Sequence, residues 1–178
     1  MSSFDTYENS YAVVPESFQE KKYTFDISNR DSFQDLLQSY NIVVVDVWAS
    51  FCSPCLQIAP LYEKLAESFH NDIEKNEIIF VKDCIDDEFH ESIHYENIKA
   101  VPTFFIYVYG KVVARIIGGD FEKLDRVLKE LMDFSNYDTP MNKKEILNNK
   151  INSLYERELL ENIPELFSTM NNSTEAVC

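Results

Sequence analysis

The chain has 178 residues, a formal net charge of −15 and four cysteines (Cys52, Cys55, Cys84, Cys178). Its length suits one domain with a substantial core. The acidic balance excludes nucleic acid or an anionic membrane as the main partner, because phosphates repel such a surface, and four cysteines are too few to staple a secreted scaffold.

Residues 1–20 are polar and acidic, with no apolar or arginine-rich targeting stretch, and read as a flexible lead-in. No apolar run approaches the ~20 residues that cross a bilayer, so the expected compartment is the reducing cytoplasm. From Lys21 strands and helices interleave. Tyr23-Thr24-Phe25-Asp26-Ile27 alternates as a strand does, and Ser28 or Asn29 can cap a helix that carries Phe33, Leu36 and Leu37 on one face. Residues 42–48 form a near-continuous apolar run, the pattern of a strand buried on both faces of a mostly parallel sheet. A long helix is predicted over 53–71, with Ile58, Leu61, Leu65 and Phe69 on its stripe and a kink at Pro60, which lacks an N–H.

Residues 78–82 read as the next strand and 86–95 as a short helix. Residues 101–108 form a strand entered through Pro102, Tyr109-Gly110-Lys111 a tight turn, and 112–117 the returning hairpin strand. Gly118-Gly119-Asp120 leads into a helix with Phe121, Leu124, Leu128 and Leu131 on one stripe. Helices interspersed with strands, closing on a hairpin and a helix, predict a layered α/β fold with a central mixed β-sheet flanked by helices. Past Tyr137 the composition shifts to Asn, Lys, Glu and Leu. Leu147, Ile151 and Leu154, then Leu159, Ile163 and Leu166, predict one or two amphipathic helices that either pack back on the domain or bind a partner.

The segment that carries chemistry is Cys52-Ser53-Pro54-Cys55, set between the apolar strand and the long helix. Thiols at this spacing can close into a disulfide, although zinc sites use the same spacing. At a helix N-terminus, unpaired N–H groups and the peptide dipoles favour negative charge. They lower a thiol pKa from roughly 8.5 and supply the thiolate that attacks disulfides. Asp46, a charged residue inside the apolar strand, is either a strand-edge aspartate in solvent or a buried carboxyl with a raised pKa.

The segment from Asp46 to Cys55 resembles the active site of the thioredoxin family. The resemblance extends to Pro60, to Lys82 on the next strand, to Val101-Pro102-Thr103 and to a glycine at 118 or 119, and covers roughly residues 22–134. It implies a thioredoxin-like fold over residues 22–137, between a flexible extension (1–21) and a helical C-terminal extension (138–178). It also implies a thiol–disulfide oxidoreductase that reduces protein disulfides. Cys52 is then the nucleophile, Cys55 the resolving thiol, Asp46 the proton acceptor for Cys55, and Lys82 either the partner that modulates Asp46 or a solvated strand end. Ser53 stands where thioredoxins most often carry glycine, while Pro54 suits the helix start. Trp48, Phe51, Ser53, Pro54, Val101, Pro102, Ile117 and Gly118 would form the substrate groove. There the Val101–Pro102 bond is cis in the family pattern, and the Val101 backbone can pair with an extended peptide.

The implied partners are disulfide-containing proteins and an external reductant, either a reductase or a small thiol, with a monomeric chain and no bound cofactor. The competing reading is a thioredoxin-fold interaction module with little redox turnover. His90 and His94, one helical turn apart, are discounted as metal ligands. Cys84 reads as a small core residue, and Cys178 as an exposed thiol able to link two chains on oxidation.

Overall fold

Seven residues, Ile42–Trp48, form the central strand β2, and their side chains explain its position. Val43, Val45 and Val47 enter one core, Ile42 and Val44 the other, so the strand is covered on both faces. The computed structural model describes residues 21–88, 92–133 and 142–157. Around β2, strands β1 (Thr24–Asp26), β3 (Ile78–Cys84), β4 (Thr103–Val108) and β5 (Lys111–Ile117) build a five-stranded sheet of order β1-β3-β2-β4-β5. The β1–β3 and β2–β3 pairs are parallel, β2–β4 and β4–β5 antiparallel, giving the mixed sheet expected. The β4–β5 hairpin turns through Tyr109 (φ 48°) and Gly110 (φ 75°), two left-handed residues that suit a two-residue hairpin loop.

Helix α1 (Arg30–Ser39) starts at Asn29, whose side chain accepts from Ser32 N at 2.8 Å, while Asn29 N donates back to Ser32 Oγ at 3.3 Å and completes the capping box. It lays Phe33 on one face of the sheet, against Val43, Val45, Val81, Phe105 and Tyr107. The opposite face is covered by α2 (Ser53–Ser68), α4 (Phe121–Met132) and α5 (Lys143–Glu156), whose buried side chains join one larger core. The predicted long helix is two helices: α2 ends at Phe69 and the short α3 (His70–Glu74) follows. Pro60 lies inside α2, which continues through it. The buried stripe also passes through Tyr62, whereas Leu61 is exposed. The Tyr62 hydroxyl donates to Val44 O and Val81 O, both at 3.0 Å, so a tyrosine there ties the helix to two strands.

The helix expected over 86–95 is absent among the described residues, which form turns and bends and then a single 3₁₀ turn, Tyr95–Asn97. Strand β3 instead runs two residues further than expected, to Cys84, and the chain returns to the sheet through buried His94.

Of the C-terminal extension, α5 packs back on the domain. Leu147, Ile151 and Leu154 are buried in the α2–α4 core, and burial of each contributes about 1.5–3 kcal/mol. Tyr155 donates its hydroxyl to Val113 O on β5 at 2.6 Å, and Lys150 donates to Glu130 O at 2.6 Å and to Asp133 O, closing the C-terminal end of α4. Leu159, Ile163, Leu166 and Cys178 lie outside the described residues.

Candidate active site

The site begins where β2 leaves the sheet. Cys52 is the N-cap of α2, and its sulfur accepts from the Cys55 amide at 3.2 Å, so the helix N-terminus presents its N–H groups to the first cysteine. Pro54 occupies the first turn, where a missing N–H costs nothing. Cys52 and Cys55 are joined by a disulfide, with Cα atoms 5.3 Å apart. Both cysteines are buried, Cys52 (7% exposed) slightly less than Cys55 (2%). Trp48, Ile85 and Val101 pack against the cluster of Ala49, Cys52 and Cys55, which brings the strand, the loop and the segment before β4 to one place.

The Val101–Pro102 peptide is cis, and Pro102 O accepts from Gly118 N at 2.8 Å. Gly118 has φ 80°, a left-handed conformation that glycine adopts without strain. Ile117, in register with Thr103, is exposed, and so is Phe51 (74%), next to the first cysteine. Ser53 is exposed on the first turn of α2.

On β2, Asp46 shares the α2 face of the sheet with Ile42 and Val44 and is 2% exposed. Its Oδ1 has no hydrogen-bond partner among the described residues. Burial pushes its carboxyl up to about 7, against the pull of the Lys82 ammonium. Of the two readings of Asp46, the buried one holds. Lys82 is the register partner of Asp46 on β3, yet its ammonium pairs with Asp26 on β1, at 3.1 Å, and lies 5.9 Å from the centre of the Trp48 ring. Lys82 thus makes its ion pair with Asp26, while its charge still pulls on the Asp46 carboxyl from the next strand.

Two further contacts had no signal in the sequence. Asp86 grips the loop before the cysteines: it accepts from Ser50 N at 2.9 Å and from the Ser50 hydroxyl at 2.5 Å. The Cys84 thiol donates to the same carboxylate at 3.1 Å, and burial together with that bond pushes the thiol up to about 11, well away from a reactive thiolate. Cys84 is half-buried at the end of β3, outside the main core. His94 does not stand ready for a metal: its ring bonds Asp83 at 2.6 Å and the Tyr107 hydroxyl at 2.8 Å. His90 lies outside the described residues, among which no cluster of three or more His, Cys, Asp or Glu side chains is arranged to hold a metal ion.

A disulfide held at a helix N-terminus, with the first cysteine as the cap, is equipped for thiol–disulfide exchange. Comparison with known proteins agrees. Residues 24–132 match the family model for thioredoxin. A thioredoxin of Coprinus comatus is 33% identical over 105 residues, covering 58% of this chain and 93% of its own. Thioredoxin H2 of Arabidopsis thaliana is 32% identical over 130 residues, covering 72% of this chain and 92% of its own. The solved structure of Malassezia sympodialis thioredoxin superposes with a TM-score of 0.53 at 30% identity, over 61% of this chain and 90% of that one.

Proposed function

The chain belongs to the thioredoxin family of thiol–disulfide oxidoreductases, and from that premise we propose that it reduces disulfides in other proteins by dithiol exchange. The observation that carries the reading is the Cys52–Cys55 disulfide at the α2 N-terminus; the buried Asp46 carboxyl on the preceding strand, with no hydrogen-bond partner for Oδ1 among the described residues, supports it. In the dithiol form, the Cys52 thiolate attacks one sulfur of the substrate disulfide. A mixed disulfide forms, and the first substrate sulfur leaves as a thiolate and takes a proton from water. Asp46 accepts the proton of Cys55, whose sulfur then attacks Cys52 Sγ. The Cys52–Cys55 bond forms, the mixed disulfide breaks, and the second substrate sulfur leaves with the electron pair. The substrate gains two electrons and the enzyme is left in its disulfide form.

Return to the dithiol needs an external two-electron reductant, either a reductase or a small thiol. In this reading Trp48, Phe51, Ser53, Pro54, Val101, Pro102, Ile117 and Gly118 receive the substrate chain, and Lys82 adjusts Asp46 from across the strand. The protein acts as a cytoplasmic monomer, with residues 22–137 as its catalytic domain. The net charge of −15 supports the absence of nucleic-acid or membrane partners.

The deciding experiment is reduction of an insulin-like disulfide with dithiothreitol as electron source. Wild type should turn over and Cys52→Ser should fall to the uncatalysed rate; equal slow rates would leave only an interaction module. Cys55→Ser should strand substrates as mixed disulfides on Cys52, identifiable after isolation.

A further inference from the structure

Lys82 lies between two carboxylates. Its register partners are Asp26 on β1 and Asp46 on β2. Side chains at paired positions of adjacent strands share a face, so the three form one row running from the sheet edge to its interior. Exposure falls along it, from an exposed Asp26 through a half-buried Lys82 to a buried Asp46. The ammonium is held at the outer end, 3.1 Å from Asp26 Oδ1, and Asp46 makes no ion pair among the described residues.

The groups around the row leave Asp26 as the anchor. Lys22 Nζ lies 3.4 Å from Asp26 Oδ2 and backs the carboxylate from solvent. From α2, Tyr62 spends its hydroxyl on Val44 O and Val81 O, and Glu63 accepts from Tyr23 N and, at 2.5 Å, from Thr24 Oγ1. From β2, Trp48 offers the ammonium a ring face and no charge. The cysteines of α2 are tied in their disulfide.

We propose that Asp26 is a positioning residue for the exchange reaction: by pairing with the Lys82 ammonium at the sheet edge it keeps that charge off Asp46, which is left to take the Cys55 proton. The proposal rests on the reading of Asp46 as proton acceptor. Its physical basis is that an opposite charge within about 4–6 Å lowers a carboxyl pKa by roughly 1–3. An ammonium that swings from Asp26 to Asp46 therefore weakens Asp46 as a base by about tenfold or more. Burial of Asp46 currently outweighs the pull of Lys82, and the Asp26 carboxyl, although partial burial raises it, is held below its ordinary value by Lys82 and Lys22.

The test follows the Asp46 carboxyl carbon by NMR through a pH titration of the full-length oxidised protein. Asp26→Asn should lower the proton affinity of Asp46 by about tenfold or more and displace the pH profile of disulfide reduction toward acid. Lys82→Met should raise that affinity, and Asp26→Asn added to Lys82→Met should change it little further. Asp26→Glu, which keeps the carboxylate, should titrate like wild type. The proposal is overturned if Asp26→Asn leaves Asp46 unmoved. It is equally overturned if the shift is the same with and without Lys82, because the lost field of Asp26 alone then accounts for it. The titration needs no turnover. A protein that titrates as described yet fails to reduce insulin refutes the reductase reading alone, and one that reduces insulin with an unmoved titration refutes only the role of Asp26.

Discussion

The two faces of the sheet each bury an aspartate, and the two behave in opposite ways. On the α2 face, Asp46 of β2 leaves Oδ1 without a hydrogen-bond partner, and burial carries its carboxyl up to about 7. On the α1 face, Asp83 of β3 is at least as buried, yet its carboxyl is held below its ordinary value. Burial pushes it up as well, but the hydrogen bonds and charge of His94 outweigh that push. Asp83 accepts from His94 N at 3.0 Å and pairs with Nδ1 at 2.6 Å, while Nε2 meets the Tyr107 hydroxyl. Burial sets the cost of a charge, and the partner decides which protonation state survives. A partnered carboxylate becomes a staple, here fixing the segment before β4 to β3. An unpartnered one becomes a group that exchanges its proton near neutral pH.

The widest contrast comes from removing the partner of Asp83. His94→Ala takes the imidazole away from a buried carboxylate and should cost about 3–5 kcal/mol of stability, read from urea midpoints at pH 7. Disulfide reduction by the fraction still folded should be unaltered, because His94 lies on the other face. A destabilisation below about 1 kcal/mol would mean that the staple holds little.

Asp46→Asn should act in the opposite sense on stability. The Asp46 carboxyl is raised in the folded state from 3.8 to about 7. Its stabilising contribution is therefore complete below pH ~4 and is lost as pH rises through about 7, a total of about 4 kcal/mol. Asp83, with its carboxyl lowered, contributes above the unfolded value and loses that contribution as pH falls through its folded one. Urea titrations from pH 3 to 8 should thus show an acid arm that belongs to Asp83 and a decline from pH 4 to 7 that vanishes in Asp46→Asn. A wild-type profile that is flat between pH 5 and 8 would contradict the contrast. The same substitution should slow the resolving step roughly 10²-fold, measured by single-turnover release of a mixed disulfide.

Asp46 was legible in the sequence because a charge interrupted an apolar strand, and the two cysteines were legible from their spacing at a strand–helix junction. Asp83 was not. The apolar run of β3 stops at Val81, and nothing in it marks that Asp83, two residues on, is buried in the strand and bonded to His94. The same contact bears on why residues 92–95 are not α-helical: His94 reaches back to Asp83, and its ring packs on Phe105 and Phe33. A helical repeat of apolar residues cannot encode that return. The pairing of Lys82 with Asp26 was hidden for a related reason. Alternation in each strand shows which residues share a face, but only the β1–β3 register sets those two side by side. Leu61 and Tyr62 differ by one position, within the error of any helical stripe, and the strand carbonyls that receive the Tyr62 hydroxyl come from β2 and β3.

The smallest effect tests where the staple is anchored. Tyr107→Phe removes one hydroxyl and keeps the ring that packs edge-on against Phe33, at 5.4 Å, and against His94, at 6.0 Å. His94 Nδ1 meets Asp83, and Nε2 on the other side of the ring meets the Tyr107 hydroxyl. Losing the hydroxyl leaves Nε2 without that partner and should cost about 1–2 kcal/mol, less than His94→Ala, because the bond to the Asp83 carboxylate persists. In the His94→Ala background the same change should cost less, since the bond to Nε2 is already gone. A Tyr107→Phe loss as large as that of His94→Ala would move the anchor from the carboxylate to the phenol. The two buried aspartates would then differ less by their partners than by the packing around them.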